Sequence, residues 1–190
     1  MEAYELGERI FGESKAQELC RKQKELPKDI SWHFIGHLQT NKVKYIVPFV
    51  DLIHGVDSFK LLAEINKQAS KVNRKVNCLL QMHIAQEETK FGFDAQELRA
   101  LLKNEHWKRY THVSICGLMG MATCTDDTEQ VRQEFKNLKR IFDAIKEEFF
   151  STDNAFKDLS MGMSDDYRVA IGEGSTLVRV GSAVFGCRVY

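Results

Sequence analysis

Proline is almost absent from this chain, with two in 190 residues, and no Gly- or Ser-rich stretch takes its place. Without linker composition nothing divides the sequence, so a single domain over residues 1–190 is expected. An excess of either charge is also missing: 27 Lys plus Arg balance 27 Asp plus Glu, for a formal net charge of zero. Nucleic-acid surfaces carry a basic excess, so no nucleic-acid partner is expected. No apolar run approaches the roughly 20 residues that a membrane-spanning helix needs, and no signal peptide opens the chain. Five cysteines (Cys20, Cys78, Cys116, Cys124 and Cys187) are scattered, odd in number and never spaced C-x-x-C. That pattern indicates neither a disulfide framework nor a zinc site and fits reduced thiols in a cytoplasmic, soluble protein with no membrane partner.

What the chain does have is alternation. Short apolar runs fall at 9–12, 32–36, 52–55, 76–84, 114–122, 158–163 and 177–181, with amphipathic stretches between them. The clearest stretch covers 127–149, where Val131, Phe135, Leu138, Phe142, Ile145 and Phe149 form one stripe at the 3.6-residue period. Further helices are marked by Ala16, Leu19, Cys20 and Gln23, and by Leu61, Leu62, Ile65, Ala69 and Val72. Asp94 and Asp126 each precede a Glu by three residues, the spacing of a helix cap. Alternating strand and helix implies a parallel sheet covered by helices. Seven strands without a Rossmann glycine fingerprint favour an α/β barrel of the (β/α)8 TIM type, one strand short of eight. Residues 1–7 read as the tail of a helix, so Met1 is expected to be an internal methionine of a longer natural sequence.

Two small-residue turns near the end of the chain carry the chemistry. Met163-Ser164 follows one apolar strand, and Gly181-Ser182 follows the next, beyond Arg179. Unpaired turn and helix-start N–H groups with hydroxyls beside them can cradle an anion. In a parallel barrel, phosphate commonly binds after the last two strands. The expected ligand is therefore a phosphorylated small molecule. Arg179, flanked by valines, needs a partner if buried. His33 and His37 stand four apart on a strand and its exit, so they do not converge as metal ligands do on a helix, and no metal site is expected. His54 and His83 read as core or rim residues. Asp165 and Asp166 suit a helix start better than a magnesium site. Five of the methionines sit at strand ends as core filling, with Met163 the one nearest the ligand.

A longer set of strings carries a resemblance. Residues Trp32-His33-Phe34-Ile35-Gly36-His37-Leu38-Gln39-Thr40-Asn41-Lys42 form the longest of them. With it go Phe11-Gly12-Glu13-Ser14, Gly117-Leu118-Met119, Leu159-Ser160-Met161-Gly162-Met163-Ser164-Asp165-Asp166 and Val178-Arg179-Val180-Gly181-Ser182-Ala183-Val184-Phe185-Gly186. In this order, over essentially the whole chain, they resemble the pyridoxal-phosphate homeostasis proteins, single-domain relatives of the alanine racemase barrel. The resemblance implies a (β/α)8 barrel that carries pyridoxal 5′-phosphate, with no catalytic residues and no established turnover, and buffers or delivers that cofactor. It implies that Ser164, Gly181 and Ser182 hold the phosphate and that Arg179 faces the pyridine nitrogen. Met163, Gly36 and His37 would line the pocket. Ser14 stands where the family commonly has Asn, which shortens or alters a polar contact to the cofactor. The family's Schiff-base lysine ends a strand that would precede Met1, so covalent attachment is not expected in this chain. Two alternatives stay open: an amino-acid racemase or lyase using the same cofactor, and a cofactor-free remnant or strand-exchanged assembly.

Overall fold

Seven short apolar runs alternate with amphipathic stretches, and in the computed structural model, which describes residues 1–87 and 91–186, the runs become strands of one sheet. Cys187 therefore lies outside the described residues. Helix α1 (Glu2–Glu5) leads into β1 (Ile10–Glu13), followed by α2 (Ala16–Glu25), β2 (Ser31–Phe34) and α3 (Val43–Ile46). Then come β3 (Leu52–Val56), α4 (Phe59–Lys71), β4 (Val76–Met82), α5 (Ala95–Lys103) and β5 (Val113–Gly120). The long helix α6 (Thr128–Phe149), β6 (Asp158–Met163), α7 (Tyr167–Gly172), β7 (Leu177–Arg179) and the short α8 (Ser182–Phe185) complete the described chain. Every neighbouring pair is parallel and the strand order is the sequence order. This is the arrangement that right-handed β–α–β units produce when repeated.

Four strands stop two residues earlier than the apolar pattern suggests: β2 at Phe34, β4 at Met82, β5 at Gly120 and β7 at Arg179. β4 ends at Met82 because the chain turns away to pair with a returning segment. Phe93 N–H donates to Gln81 O at 2.8 Å, and His83 N–H donates to Phe93 O at 2.9 Å. His83 is thus past the strand. β7 ends at Arg179 because Gly181 N–H is taken by a side chain of the neighbouring turn.

The outer face of the sheet packs on the helices. On α6, Val131, Phe135, Leu138, Phe142 and Ile145 are buried as a stripe. Phe149 remains half-buried, and Phe150, just past the helix end, turns inward and stacks on Phe156 with ring centroids 4.3 Å apart. Asp94 completes a capping box with Glu97. For α6 the cap is Asp127, one residue later than the spacing suggests, and it accepts from Glu129 and Gln130 N–H.

The inner face holds a smaller apolar cluster of Leu52, Leu79, Cys116 and Met119, with Leu177 against it. The sheet curls so far that His54 of β3 and Ser160 of β6, which are not neighbouring strands, meet at 2.9 Å. Among the described residues β1 pairs only with β2 and β7 only with β6, so the barrel is nearly closed and one gap remains between them. Residues at the gap are exposed: Ile10 by 56% and Val178 by 38%. Gly117 follows a register shift in the β4–β5 pairing and lies directly against β6. Its φ is +155°, and a Cβ there would overlap Asp158 O, so only glycine lets the two backbones approach.

Candidate functional site

The residues singled out in the sequence gather in two groups at the carboxyl ends of the strands, one on each side of the gap. The first group follows β6 and β7. Met163 N–H donates to Asp166 Oδ1 at 2.5 Å, which closes the turn after β6. Ser164 Oγ then accepts from Gly181 N–H at 3.1 Å and from Ala183 N–H at 3.4 Å. Two N–H groups of the turn after β7 therefore converge on one oxygen supplied by the turn after β6. Ser182 is exposed beside them, Met163 is 40% exposed, and a Cβ on Gly181 would meet nothing within 4 Å. The two turns face each other with open space over them.

Arg179 lies beneath, reaching inward. Its guanidinium donates from Nη1 to Ser160 Oγ at 2.6 Å and from Nη2 to Gly120 O at 3.0 Å. No ion pair is formed with a carboxylate among the described residues, although the charge of Asp166 acts on it favourably. The residue as a whole is half-buried, yet its guanidinium is deep enough that desolvation pulls its pKa down to about 10. It remains a cation at neutral pH, held by uncharged acceptors. Ser160 in turn contacts His54 Nδ1, and His54 Nε2 lies 3.1 Å from His33 Nδ1. Burial lowers the pKa of both histidines, that of His54 strongly, with the neighbouring His33 and Arg179 adding to the effect. Both imidazoles are therefore neutral at pH 7.

The second group surrounds the exits of β1 and β2. Gly36 passes so close to Ser14 that a Cβ would overlap Ser14 O, which makes glycine obligatory there. Ser14 and His37 line a cleft of about 220 Å³ with Lys15, Gln39 and Lys42. His37 pairs with Asp57 at 3.1 Å and stacks on Phe91 with centroids 4.2 Å apart. Gln81 Nε2 holds Phe91 O at 2.7 Å, so the segment after β4 reaches His37 at the mouth.

Sequence reasoning singled out Arg179 and both turns but treated His33 and His54 as packing and passed over Ser160. A usable signal was present. Each is a polar residue inside an apolar strand, and each alternates with neighbours that pack outward: Trp32 and Phe34, Ile53, and Leu159 and Met161. None of the seven strands contains a lysine. Among the described residues, no group of three His, Cys, Asp or Glu side chains is placed to hold a metal, and no helix is long and apolar enough to cross a membrane.

A parallel barrel with a guanidinium inside and tied, open turns after its last two described strands defines an α/β barrel of the class that seats its ligands at the carboxyl ends of the strands. The family model of the alanine racemase N-terminal domain matches residues 1–189. The pyridoxal phosphate homeostasis protein of Aquifex aeolicus is 40% identical over 190 residues, covering 100% of this chain and 81% of that protein. PipY of Synechococcus elongatus, 34% identical, has been solved without and with PLP bound. The two structures match this chain with TM-scores of 0.90 and 0.87, over 97% of this chain and 85% of theirs. Alanine racemase of Bartonella henselae shares the fold at 16% identity, with a TM-score of 0.66 over 97% of this chain and 48% of its own. The chain belongs to the alanine racemase N-terminal domain family, among its pyridoxal phosphate homeostasis proteins.

Proposed function

We propose that this protein binds pyridoxal 5′-phosphate at the carboxyl end of the barrel and serves cytoplasmic cofactor homeostasis by buffering or delivering it, without turnover of its own. The observation that carries this reading is Arg179, a desolvated cation directed into the barrel beside two open turns. The relatives' names and the PLP-bound PipY structure support it.

The residues present fit the ligand. Ser164 already gathers two turn N–H groups around one acceptor oxygen, the disposition a phosphate oxygen requires, and Ser182 adds a hydroxyl on an exposed turn. Met163, half-exposed at the end of β6, offers an apolar contact for the ring, and Gly36, His37 and Ser14 would border the ligand from the other side of the gap. Bound pyridoxal phosphate supplies an electron-accepting pyridine ring. A permanent cation facing the ring nitrogen opposes its protonation and weakens that electron sink, which favours carriage over carbanion chemistry. The contacts proposed from this chain's own residues are those to the phosphate and the ring; none of the described strands carries a lysine.

The test is a titration of the protein with pyridoxal 5′-phosphate followed by absorbance and by melting temperature. Saturable binding that raises the melting temperature, is competed by inorganic phosphate and is weakened by Ser164→Ala supports the reading. A wild-type protein with no saturable binding rejects it.

A further inference from the structure

The barrel interior contains a polar chain that phosphate and ring binding leave unexplained. It runs from Arg179 through Ser160 and His54 to His33, linking β7, β6, β3 and β2 across the lumen. Its direction follows from satisfying each buried atom. Arg179 is a donor only, so Ser160 Oγ accepts at that contact. Ser160 is fully buried, and the acceptor within reach of its own hydrogen among the described residues is His54 Nδ1 at 2.9 Å. If His54 Nδ1 carried a proton instead, the serine hydrogen would be left buried and unpaired, which is the arrangement folded proteins avoid. His54 therefore carries its proton on Nε2 and donates it to His33 Nδ1, which places the His33 proton on Nε2.

We propose that Ser160 and His54 are positioning residues for Arg179, and that the one-way chain Arg179 to Ser160 to His54 to His33 fixes where its guanidinium points. The ring-facing role of Arg179 rests on the proposed binding of pyridoxal phosphate; the direction of the chain does not. His33 from β2 and Arg179 from β7 both act on His54, Asp51 ahead of β3 acts on His33, and Asp166 acts on Arg179. Protonating His54 would remove the acceptor for the Ser160 hydroxyl and set a second cation against Arg179. Cofactor affinity is thus expected to fall as pH drops, in step with that protonation.

Two measurements test this on the full chain. In long-range proton–nitrogen spectra of 15N-histidine protein without ligand, both imidazoles are expected as neutral Nε2–H tautomers, and an Nδ1–H tautomer at His54 overturns the chain. In the pyridoxal-phosphate titration, Ser160→Ala and His54→Phe are expected to weaken binding about tenfold, the value of one charge-assisted hydrogen bond. His54→Gln, whose amide accepts from Ser160 and donates to His33, restores affinity. Binding of inorganic phosphate stays unchanged in all three, and His54→Phe loses the pH dependence. Wild-type affinity in Ser160→Ala and His54→Phe, equal loss of phosphate binding, or failure of His54→Gln to restore affinity overturns the proposal. If the two disruptive variants do not fold, the tautomers and His54→Gln decide. If wild type binds no pyridoxal phosphate, the proposed function fails while the spectra still decide the chain.

Discussion

Replacing Arg179 by Met tests whether this cation serves the ligand or the fold. Desolvation holds the guanidinium at about 10, well below the value of a free guanidinium, and at about 1.4 kcal/mol per pH unit this amounts to about 3 kcal/mol of destabilisation. The sign is that of a base with a depressed pKa. The penalty is fully present below the folded value and is relieved only as pH rises through it, so between pH 6 and 9 it is constant. Methionine has similar length and removes that penalty, but it leaves Ser160 Oγ and Gly120 O without their donor, which returns about 1–2 kcal/mol. The expected net result for the ligand-free protein is a gain of about 1–2 kcal/mol, or several degrees in melting temperature for a domain of this size. Urea or thermal unfolding at pH 7 and pH 8.5 measures it. With pyridoxal phosphate at a hundredfold excess over its dissociation constant, wild type is expected to gain about 2.7 kcal/mol and the variant far less. A variant that is destabilised by more than about 1 kcal/mol without ligand would show that Arg179 holds the barrel together, and the cost assigned to its burial would be wrong.

Further outcomes are expected elsewhere in the molecule. His33 and His54 are held neutral by burial, whereas in the unfolded chain they take up protons as pH falls through about 6.5. Stability is therefore expected to drop below that pH, with a slope of up to roughly 2.7 kcal/mol per pH unit for two such groups, and denaturant melts at pH 7.5, 6 and 5 read it. His54→Gln should about halve the slope; an unchanged slope contradicts the assignment. Gly36→Ala drives a methyl into the Ser14 carbonyl and is expected to cost about 3 kcal/mol or more, seen as a large fall in melting temperature. Asp127→Ala removes the acceptor for two N–H groups at the start of α6 and is expected to cost about 1 kcal/mol, with Asp126→Ala nearly silent.

Much of this architecture was legible because its signals are local. The stripe from Val131 to Ile145 repeats within a few residues, the Asp94 box spans four, and the seven apolar runs need only their own composition to be read as strands. The turns at Ser164 and Gly181 and the conspicuous Arg179 were visible for the same reason. Where the local signal misled, a neighbour absent from that stretch decided the outcome. Phe93 ended β4 at Met82, and the α6 cap moved to Asp127 when the backbone placed that carboxylate on the N–H groups. The contact of His54 with Ser160, 106 residues apart, has no sequence signature beyond polarity on an inward-facing position. It exists because the twist and coiling of successive parallel strands accumulate until β3 and β6 face each other across a lumen. The sequence determined which residues are helix, strand, cap and turn. Only the curvature of the nearly closed sheet decided that a cation on β7 would rest on a serine backed by two neutral histidines, since no interaction along the chain reaches that far.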